Sequence, residues 1–506
     1  MLGDYSALFV LFSPSELERE RLREATARAD GKRAPDSAHL MRILFGSCNK
    51  HDQPQPLWSA IARLAPAAWV WAGDAAYHDR GCGVDCFVEG APDAMADAYA
   101  RQRAVPGYAA LRERVPMYAQ NPRPHYRARQ PSLPTTTTAT SPRCSYGTWD
   151  DHDYGRNDGD RTYEHRNTSQ RLYLDFIDEP AGSARRTRAG VYESHDLADA
   201  RTNRSAKLVL LDVRYSRDPY TTRGGDFLGE AQWAWLEATL RASKADVHLI
   251  VSGLQVLPHR RPFGEGWFRF PSARARLLEL LLRLRVRAPV ILSGDVHYAE
   301  LLEAMCTRGD AEARLVEITS SGLTHAFGHR HVDGGAFDLP GPPSQFSLIE
   351  SAAQGVLGYW LMRWAQIAMP FRYRRRAADG AAQYHLGLNF GEVSVAWGEQ
   401  PAGAVTIRIR DGHGNSAHAA AFALSDLGAA AGPEESAEAA DAGHWTCRGR
   451  RADPSDAHVR ARLCLFLAPI ALGLLGPTVG PVLAACACAA ARRRRARRRD
   501  ARAKAD

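Results

Sequence analysis

Short runs of apolar residues recur along the chain, and each run ends in a polar residue or a glycine. Five of these runs are RILFGSC, AAWVWAGD, KLVLLDVR, VHLIVSG and APVILSGD. Runs of this length and composition predict strands that are buried on both faces. Helical patterns lie between them, at residues 56–64, 230–242 and 271–284. Strands that alternate with helices predict an α/β fold whose polar strand ends meet at one edge of a sheet.

Other patterns divide the chain into segments. Residues 386–397 and 404–414 alternate apolar and polar positions, which predicts closing antiparallel strands. The body is therefore predicted over 42–424. The flanking and inserted segments are a helical extension at 1–41, a disordered Pro/Thr-rich insertion at 122–143, a linker at 425–462 and a basic tail at 491–506.

Two long apolar stretches raise the question of a membrane. Residues 463–490 contain no charged side chain, which predicts a spanning helix; a buried core helix is the alternative. The Arg-rich tail that follows favours a C-terminal single-pass anchor, or contact with anionic lipid, in a compartment that the sequence does not identify. Residues 347–369 contain Glu350 and Arg363, so they predict an amphipathic helix that packs on the body or rests on a bilayer. The apolar run at 7–12 follows Asp4 and lacks the pattern of a signal peptide.

Composition and charge narrow the function classes. The chain has 506 residues, of which 45% are hydrophobic and 24% charged, so a mainly disordered protein is excluded. The net charge is +8, of which the tail with nine basic and two acidic residues holds +7, leaving +1 on residues 1–490. A nearly neutral body argues against a specific nucleic-acid-binding face. The nine cysteines are too few and scattered to indicate a disulfide scaffold or a compartment.

Polar clusters follow five of the predicted strands. They are GSCN at 46–49, GDAAY at 73–77, WDDHDY at 149–154, DVR at 212–214 and SGDVHY at 293–298. Collected at one sheet edge, their carboxylates, imidazoles, thiol and phenol suit one or two metal ions, and the sulfur and phenol favour a transition metal such as iron or zinc. Two adjacent metals are suited to phosphoester hydrolysis.

Each cluster alone has a simpler interpretation. A carboxylate after a strand commonly caps a turn, and a lone buried cysteine such as Cys48 commonly packs as a small apolar residue. The carboxylates of Asp150, Asp151 and Asp153 repel unless they are solvated or bound to a cation. Asp295 and His297 alternate along an extended segment and can face one metal, although a histidine there can also pair with backbone.

The order and wording of the motifs identify a resemblance. Eight motifs resemble the PhoD-like alkaline phosphatase D family of metallophosphoesterases, in particular its eukaryotic branch, from about residue 42 to 397: FGSCN, WAGDAAYHD, TWDDHDYGRNDG, LLDVRY, LGEAQWAWLE, SGDVHYAEL, ITSSGLTH and LNFGEV. The resemblance implies a four-layer α/β/β/α sandwich with a metal centre at the sheet edge. It also implies hydrolysis of phosphomonoesters or phosphodiesters with iron and calcium, or with other divalent metals.

The resemblance also implies roles for single residues. The implied metal ligands are Cys48, Asp74, Tyr77, Asp151, Asp295 and His297, with Asp74 as the bridging carboxylate and Tyr77 associated with a ferric ion. His152 matches the histidine that protonates the leaving group, and Arg214 matches an arginine near the substrate. Further residues expected to line the cleft are Asn49, Asn157 and His325. Ala75 departs from the family, which often has Asn there.

The sequence therefore predicts a metal-dependent phosphoesterase that uses a metal-activated hydroxide. Its expected partners are a small-molecule, lipid or polymer phosphoester and, through residues 463–490, a membrane. A catalytically silent membrane-anchored adaptor that keeps the fold is the alternative. A nucleic-acid-binding protein is a third interpretation, which rests only on the tail.

Overall fold

The computed structural model of the protein describes residues 40–83, 86–114, 145–199, 201–258, 264–326, 384–397, 403–429 and 444–449. Several predicted segments lie outside these residues, namely nearly all of the extension at 1–41, the insertion at 122–143, the amphipathic stretch at 347–369, the apolar segment at 463–490 and the basic tail. In the part of the chain that is described, no helix has the length and apolar character needed to cross a bilayer.

In the described residues up to 293, helices lie between most of the successive strands, as the apolar pattern predicts. The strands are β1 (Leu40–Gly46), β2 (Ala68–Ala72), β3 (Arg80–Gly83), β4 (Cys86–Val88), β5 (Ser145–Thr148), β6 (Glu193–Asp199), β7 (Arg204–Leu210), β8 (Val247–Ser252), β9 (Pro289–Ser293), β10 (Ala299–Arg308), β11 (Ala311–Ser320), β12 (Tyr384–His385), β13 (Asn389–Ala396), β14 (Ala404–Asp411), β15 (Ser416–Ala423), β16 (Gly428–Ala429) and β17 (Thr446–Gly449). The helices are α1 (Trp58–Arg63), α2 (Pro92–Ala104), α3 (Pro106–Arg114), α4 (Asp151–Tyr154), α5 (Arg166–Phe176), α6 (Gly229–Ala242) and α7 (Pro271–Arg283).

Two large sheets contain most of the strands. The first has the order β15-β14-β13-β1-β2-β5, and the second has the order β12-β10-β11-β9-β8-β7-β6. In the first sheet β1, β2 and β5 are mutually parallel, and in the second β7, β8, β9 and β11 are parallel. The antiparallel strands β13, β14 and β15 complete the first sheet. The mixed α/β fold predicted from the sequence is confirmed.

Apolar side chains cover both faces of the parallel strands in each sheet. Along β2, Val70 contributes to a core shared by the two sheets, while Trp69 and Trp71 contribute to a second core with helices α1, α2, α3 and α5. In the second sheet, Leu249 faces the shared core and Ile250 faces a third core with α6 and α7. This alternation is the period of two that a strand imposes, and it explains why the strands have near-continuous apolar sequences.

Part of the range predicted as a linker, 425–462, is attached to the second sheet. β16 pairs with β11, and β17 pairs with β10. A disulfide joins Cys306 of β10 to Cys447 of β17, two residues that are 141 positions apart in the chain. These two strands are two and four residues long. They are too short for a periodic pattern, which is why composition alone indicated a linker.

Candidate active site

The candidate residues follow strands that end at one edge of each sheet. In the first sheet Cys48 comes directly after β1, Asp74 and Tyr77 after β2, and Asp151 and His152 after β5. In the second sheet the corresponding positions after β9 and β11 are held by Asp295, His297, Ser321 and His325. Because parallel strands point their carboxyl ends the same way, this topology gathers the residues without long connecting loops.

Four of these residues have a left-handed backbone. The φ angles are 59° at Cys48, 51° at Asp74, 73° at Asp295 and 55° at His297. Non-glycine residues rarely adopt this region because the Cβ atom crowds the backbone. Each sharp turn stops the strand and redirects the next side chain. Concentration of such conformations at one place is typical of a functional site.

Asp151 is common to three groups of possible metal ligands. Its carboxylate, one oxygen of Asp74 and a ring nitrogen of His152 all lie within 4.8 Å of one another, and the three residues are 3%, 1% and 7% exposed. The second group consists of Asp150, Asp151 and Asp295, and the third of Asp151, Asp158 and Glu265. Strand-end residues of both sheets therefore meet at Asp151.

A second set of donor atoms surrounds the Tyr77 phenol. Its Oη lies 3.3 Å from His297 Nε2 and 3.1 Å from His325 Nε2, and the two imidazole nitrogens are 3.2 Å apart. The Asp74 Oδ2 atom lies 3.5 Å from the same phenol and 3.4 Å from Cys48 Sγ. Neighbouring ligands of a tetrahedral ion with bonds of about 2.1 Å are about 3.4 Å apart. The spacing therefore suits a transition metal with sulfur, nitrogen and oxygen ligands.

His152 is fixed by two neighbours. Its Nδ1 lies 2.6 Å from Asp79 Oδ1, and its ring stacks on Tyr77 with centroids 3.8 Å apart. Burial opposes the charged imidazolium, but Asp79, Asp151 and Asp74 outweigh burial and raise the pKa of His152 well above its usual value. The contact with Asp79 leaves Nε2 as the nitrogen that can reach a substrate.

The acidic run at 150–153 is explained by a separate partner for each carboxylate. Asp153 accepts hydrogen bonds from the backbone N–H groups of Ala75 and Ala76 at 3.1 and 3.2 Å. Asp150 accepts one from Arg214 Nε at 2.5 Å. Asp151 accepts one from the backbone N–H of Asp158 at 2.9 Å. Each of the three neighbouring carboxylates thus has its own hydrogen-bond donor, either a backbone N–H group or the buried Arg214.

Arg214 is enclosed by acidic residues. The residue is fully buried, and besides Asp150 it donates to Glu265 Oε2 at 2.5 Å and lies 3.6 Å from Asp151 Oδ1. These contacts give it the position of a residue that orients the carboxylates. The role near the substrate that the resemblance implies stays a prediction.

The electrostatics of the site fit a cation. Burial, followed by the charge of Asp74, raises the pKa of the Cys48 thiol, and burial also raises the pKa values of Asp74, Tyr77 and Asp295. Burial raises the pKa of Asp150 to about 7 although Arg214 opposes it. The Oδ1 atom of Asp74 is buried and accepts no hydrogen bond from the residues described. A metal ion would stabilise these groups in their ionised form, so the donor set fits a bound metal.

Some residues of the site were not singled out from the sequence. Asp79 is five residues after Asp74 in the motif WAGDAAYHD, but nothing in the motif shows that it contacts His152. Ser321 Oγ lies 2.9 Å from Cys48 Sγ and accepts a hydrogen bond from the His297 backbone N–H at 2.7 Å. Asn49, expected to line the cleft, donates to Ala75 O and Gln102 Oε1, which indicates a structural position.

Comparison with known proteins points to one family. A sequence profile of PhoD-like phosphatases matches residues 43–336. Similar solved structures include one described as the structure of PhoD, with 14% identity, a TM-score of 0.46, and coverage of 79% of this chain and 74% of the other. A 5'-nucleotidase precursor from Thermus thermophilus has 12% identity and a TM-score of 0.25, over 85% of this chain and 59% of the other. No curated protein sequence matches significantly.

Proposed function

The chain belongs to the PhoD-like phosphatase family, and we propose that it hydrolyses phosphoric esters at the cleft where Asp74, Asp151 and His152 meet. One observation carries the proposal: carboxylate oxygens of Asp74 and Asp151 and a ring nitrogen of His152, all buried, lie within 4.8 Å of one another, at the carboxyl ends of parallel strands. Family membership confirms the predicted class, a phosphoric ester hydrolase. It also disfavours the catalytically silent adaptor.

The metal centre is proposed to use the six predicted ligands and one further histidine. Thiolate, phenolate and imidazole donors at Cys48, Tyr77 and His297 suit iron, and His325 joins them because its Nε2 lies 3.2 Å from that of His297. The carboxylates of Asp151 and Asp295 suit a harder cation such as calcium. Bound ions would neutralise charge on the phosphoryl oxygens and lower the pKa of a nearby water molecule.

We propose that His152, held by Asp79, protonates the leaving oxygen. Asp79 holds the Nδ1 proton of His152, and the raised pKa keeps a second proton on Nε2. That proton is donated to the oxygen of the departing alcohol as its bond to phosphorus breaks. Arg214 holds Asp150 directly and lies beside Asp151, so it keeps both carboxylates oriented without entering the reaction.

The central experiment combines elemental analysis with a substrate panel. The purified full-length chain should contain stoichiometric metal and hydrolyse p-nitrophenyl phosphate or bis-p-nitrophenyl phosphate. Asp74→Asn should abolish turnover while the fold is kept, whereas Asp97→Asn, in an exposed pair with Arg101, should leave it unchanged. A wild-type chain without metal and without turnover would favour the adaptor. Full activity of Asp74→Asn would contradict the proposed role of Asp74.

The finer points of the architecture and the location are also proposals. The three hydrophobic cores support a metallophosphoesterase-like α/β/β/α sandwich. The uncharged sequence at 463–490, followed by the Arg-rich tail, supports a C-terminal membrane anchor that brings the site to lipid or polymer phosphoesters as well as small ones. Deletion of residues 463–506 should move the protein from the membrane fraction to the soluble fraction. An unchanged distribution would contradict the anchor.

A further inference from the structure

One large apolar side chain beside His152 is exposed. Phe87 on strand β4 is 42% exposed, and within the described ranges the other exposed large hydrophobic residues are Val88, at 58%, and Leu40, at 38%. Single exposed apolar residues are ordinary, but one that lies beside a candidate catalytic side chain is placed to contact a substrate. We propose that Phe87 forms the subsite that receives an apolar leaving group of the phosphoester substrate.

The position of Phe87 relative to His152 determines which part of the substrate it meets. The two ring centroids are 6.1 Å apart, with an interplanar angle of 51°. Under the proposed function, on which this inference rests, His152 protonates the oxygen that leaves with the alcohol. The carbon group bonded to that oxygen therefore emerges beside His152. Phe87 is the exposed aromatic residue that contacts this imidazole.

The hairpin of β3 and β4 is attached to the catalytic turn at both of its ends. The His78 N–H, before the hairpin, donates to His152 O at 3.3 Å. The Gly90 N–H, after it, donates to Gly155 O at 2.8 Å. A Cβ atom at Gly90 would lie 2.9 Å from the Cβ and O atoms of His78, so glycine is required for this close approach. Both ends of the segment that contains Phe87 are thus hydrogen-bonded to the turn that contains His152.

The size of the exposed surface sets the expected selectivity. A phenylalanine side chain can bury about 200 Å², so an exposure of 42% leaves roughly 80 Å² for a ligand to cover. Covering that area with an aryl or alkyl group corresponds to a gain of roughly tenfold or more in kcat/KM, allowing for incomplete contact. A small polar alcohol such as glycerol covers little of it. The preferred substrates are therefore esters of apolar alcohols or phenols.

The test compares two substrates in matched variants of the full-length chain. The ratio of kcat/KM for 1-naphthyl phosphate to that for glycerol phosphate should fall about tenfold in Phe87→Ala and less in Phe87→Leu, since leucine keeps an apolar surface. Leu40→Ala is the control, because Leu40 is at the opposite end of the seven-residue strand β1, roughly 20 Å from Gly46. Phenylphosphonate should inhibit the wild-type chain more strongly than methylphosphonate. The ratio of their inhibition constants should move closer to one in Phe87→Ala.

The outcomes separate this inference from the proposed function. A wild-type chain that hydrolyses both esters, with a ratio unchanged in Phe87→Ala, overturns the subsite and leaves the phosphoesterase intact. An equal loss on both substrates also overturns it, because a general defect of the site is not selectivity. A wild-type chain that hydrolyses neither ester, with its metals bound, overturns the proposed function and the subsite together.

Discussion

At the scale of single residues, the charge of Asp79 governs the protonation of His152. The Asp79→Asn variant keeps the size of the side chain and removes its charge, so the pKa of His152 should fall. The protonated fraction at alkaline pH then falls, and the basic limb of the kcat profile should move to lower pH. We expect kcat on an alkyl phosphate to decrease about 10- to 100-fold. Steady-state kinetics between pH 6 and pH 10 measure both effects.

The effect should depend on the leaving group. p-Nitrophenolate leaves without a proton more readily than an alkoxide does, so Asp79→Asn should slow p-nitrophenyl phosphate less than glycerol phosphate. Glu89→Gln serves as a control, because Glu89 pairs with Arg156 at the surface, 3.3 Å away, close to the same hairpin. If the basic limb of the kcat profile does not shift in Asp79→Asn, the contact with Asp79 does not control the protonation of His152.

Another prediction concerns His248, which lies outside the site. Its Nδ1 is 2.8 Å from Arg287 O and its Nε2 is 2.8 Å from Ser243 Oγ. Burial lowers its pKa to about 4, with Lys207 and Arg287 acting in the same direction while the Arg287 carbonyl and Asp196 oppose it. As the pH falls below about 6.5, His248 is therefore protonated in the unfolded chain before it is protonated in the folded chain.

The folded state should lose stability over that range. Between pH 7 and pH 5 this histidine should lower the free energy of unfolding by about 2 kcal/mol. The variant His248→Gln keeps polar contacts but does not titrate, so its free energy of unfolding should change less over the same interval. Denaturant unfolding of both proteins at the two pH values measures the difference. Equal pH dependence in the two proteins would refute the assignment.

The residues of the site differ in how far the sequence reveals them. Cys48, Asp74 and Asp295 come directly after apolar runs, and this position alone predicted that they would meet. The sequence did not reveal the contact of Asp79 with His152 or the left-handed turns, because both depend on backbone conformation at loops. The sequence also left open whether the carboxylates at 150, 151 and 153 are solvated or bind a cation. The groups that donate hydrogen bonds to them, Arg214 and the N–H groups after Asp74, are distant in the chain.

At the scale of elements, the long apolar strands were predictable and the short edge strands were not. β7, β8 and β9 have every central residue buried, so their sequences carry a strong signal. The strands β16 and β17 owe their conformation to pairing with β11 and β10, and this pairing leaves no mark in two or four residues. Tertiary context rather than local preference forms them.

The disulfide that attaches β17 gives a prediction at this scale. A link between residues 141 positions apart restricts the unfolded chain, so Cys306→Ala combined with Cys447→Ala should lower the free energy of unfolding by about 2–5 kcal/mol. Thermal unfolding followed by circular dichroism measures the loss. The wild-type chain under a strong reductant should unfold at the same temperature as the variant. An unchanged melting temperature in both cases would contradict a stabilising role.

At the scale of the whole molecule, the order of motifs was sufficient to predict the family, which the profile match confirms. Eight short motifs in a fixed order constrain a chain far more than any one of them does. The membrane anchor lies outside the described residues and stays a prediction. The proposed role of Phe87 in substrate choice was not predictable, since the three-residue strand β4 has no strong sequence pattern.

Metal removal should affect both activity and stability of the whole molecule. Chelation should abolish hydrolysis and lower the melting temperature, because the buried acids Asp74, Asp151 and Asp295 lose the cation that stabilises their ionised forms. Adding back iron and calcium should restore both. The variant Asp74→Asn should show a smaller decrease in melting temperature on chelation than the wild-type chain. A chelated wild-type chain with unchanged melting temperature would contradict a buried metal centre.

The left-handed turns at Cys48, Asp74, Asp295 and His297 have a consequence for the stability of the chain. Each costs on the order of 1 kcal/mol in conformational energy that glycine would avoid. A variant with glycine at one of these positions should therefore gain backbone stability while it loses a side chain of the proposed metal centre. Thermodynamic robustness and the supply of donor atoms are thus opposed at the same four positions.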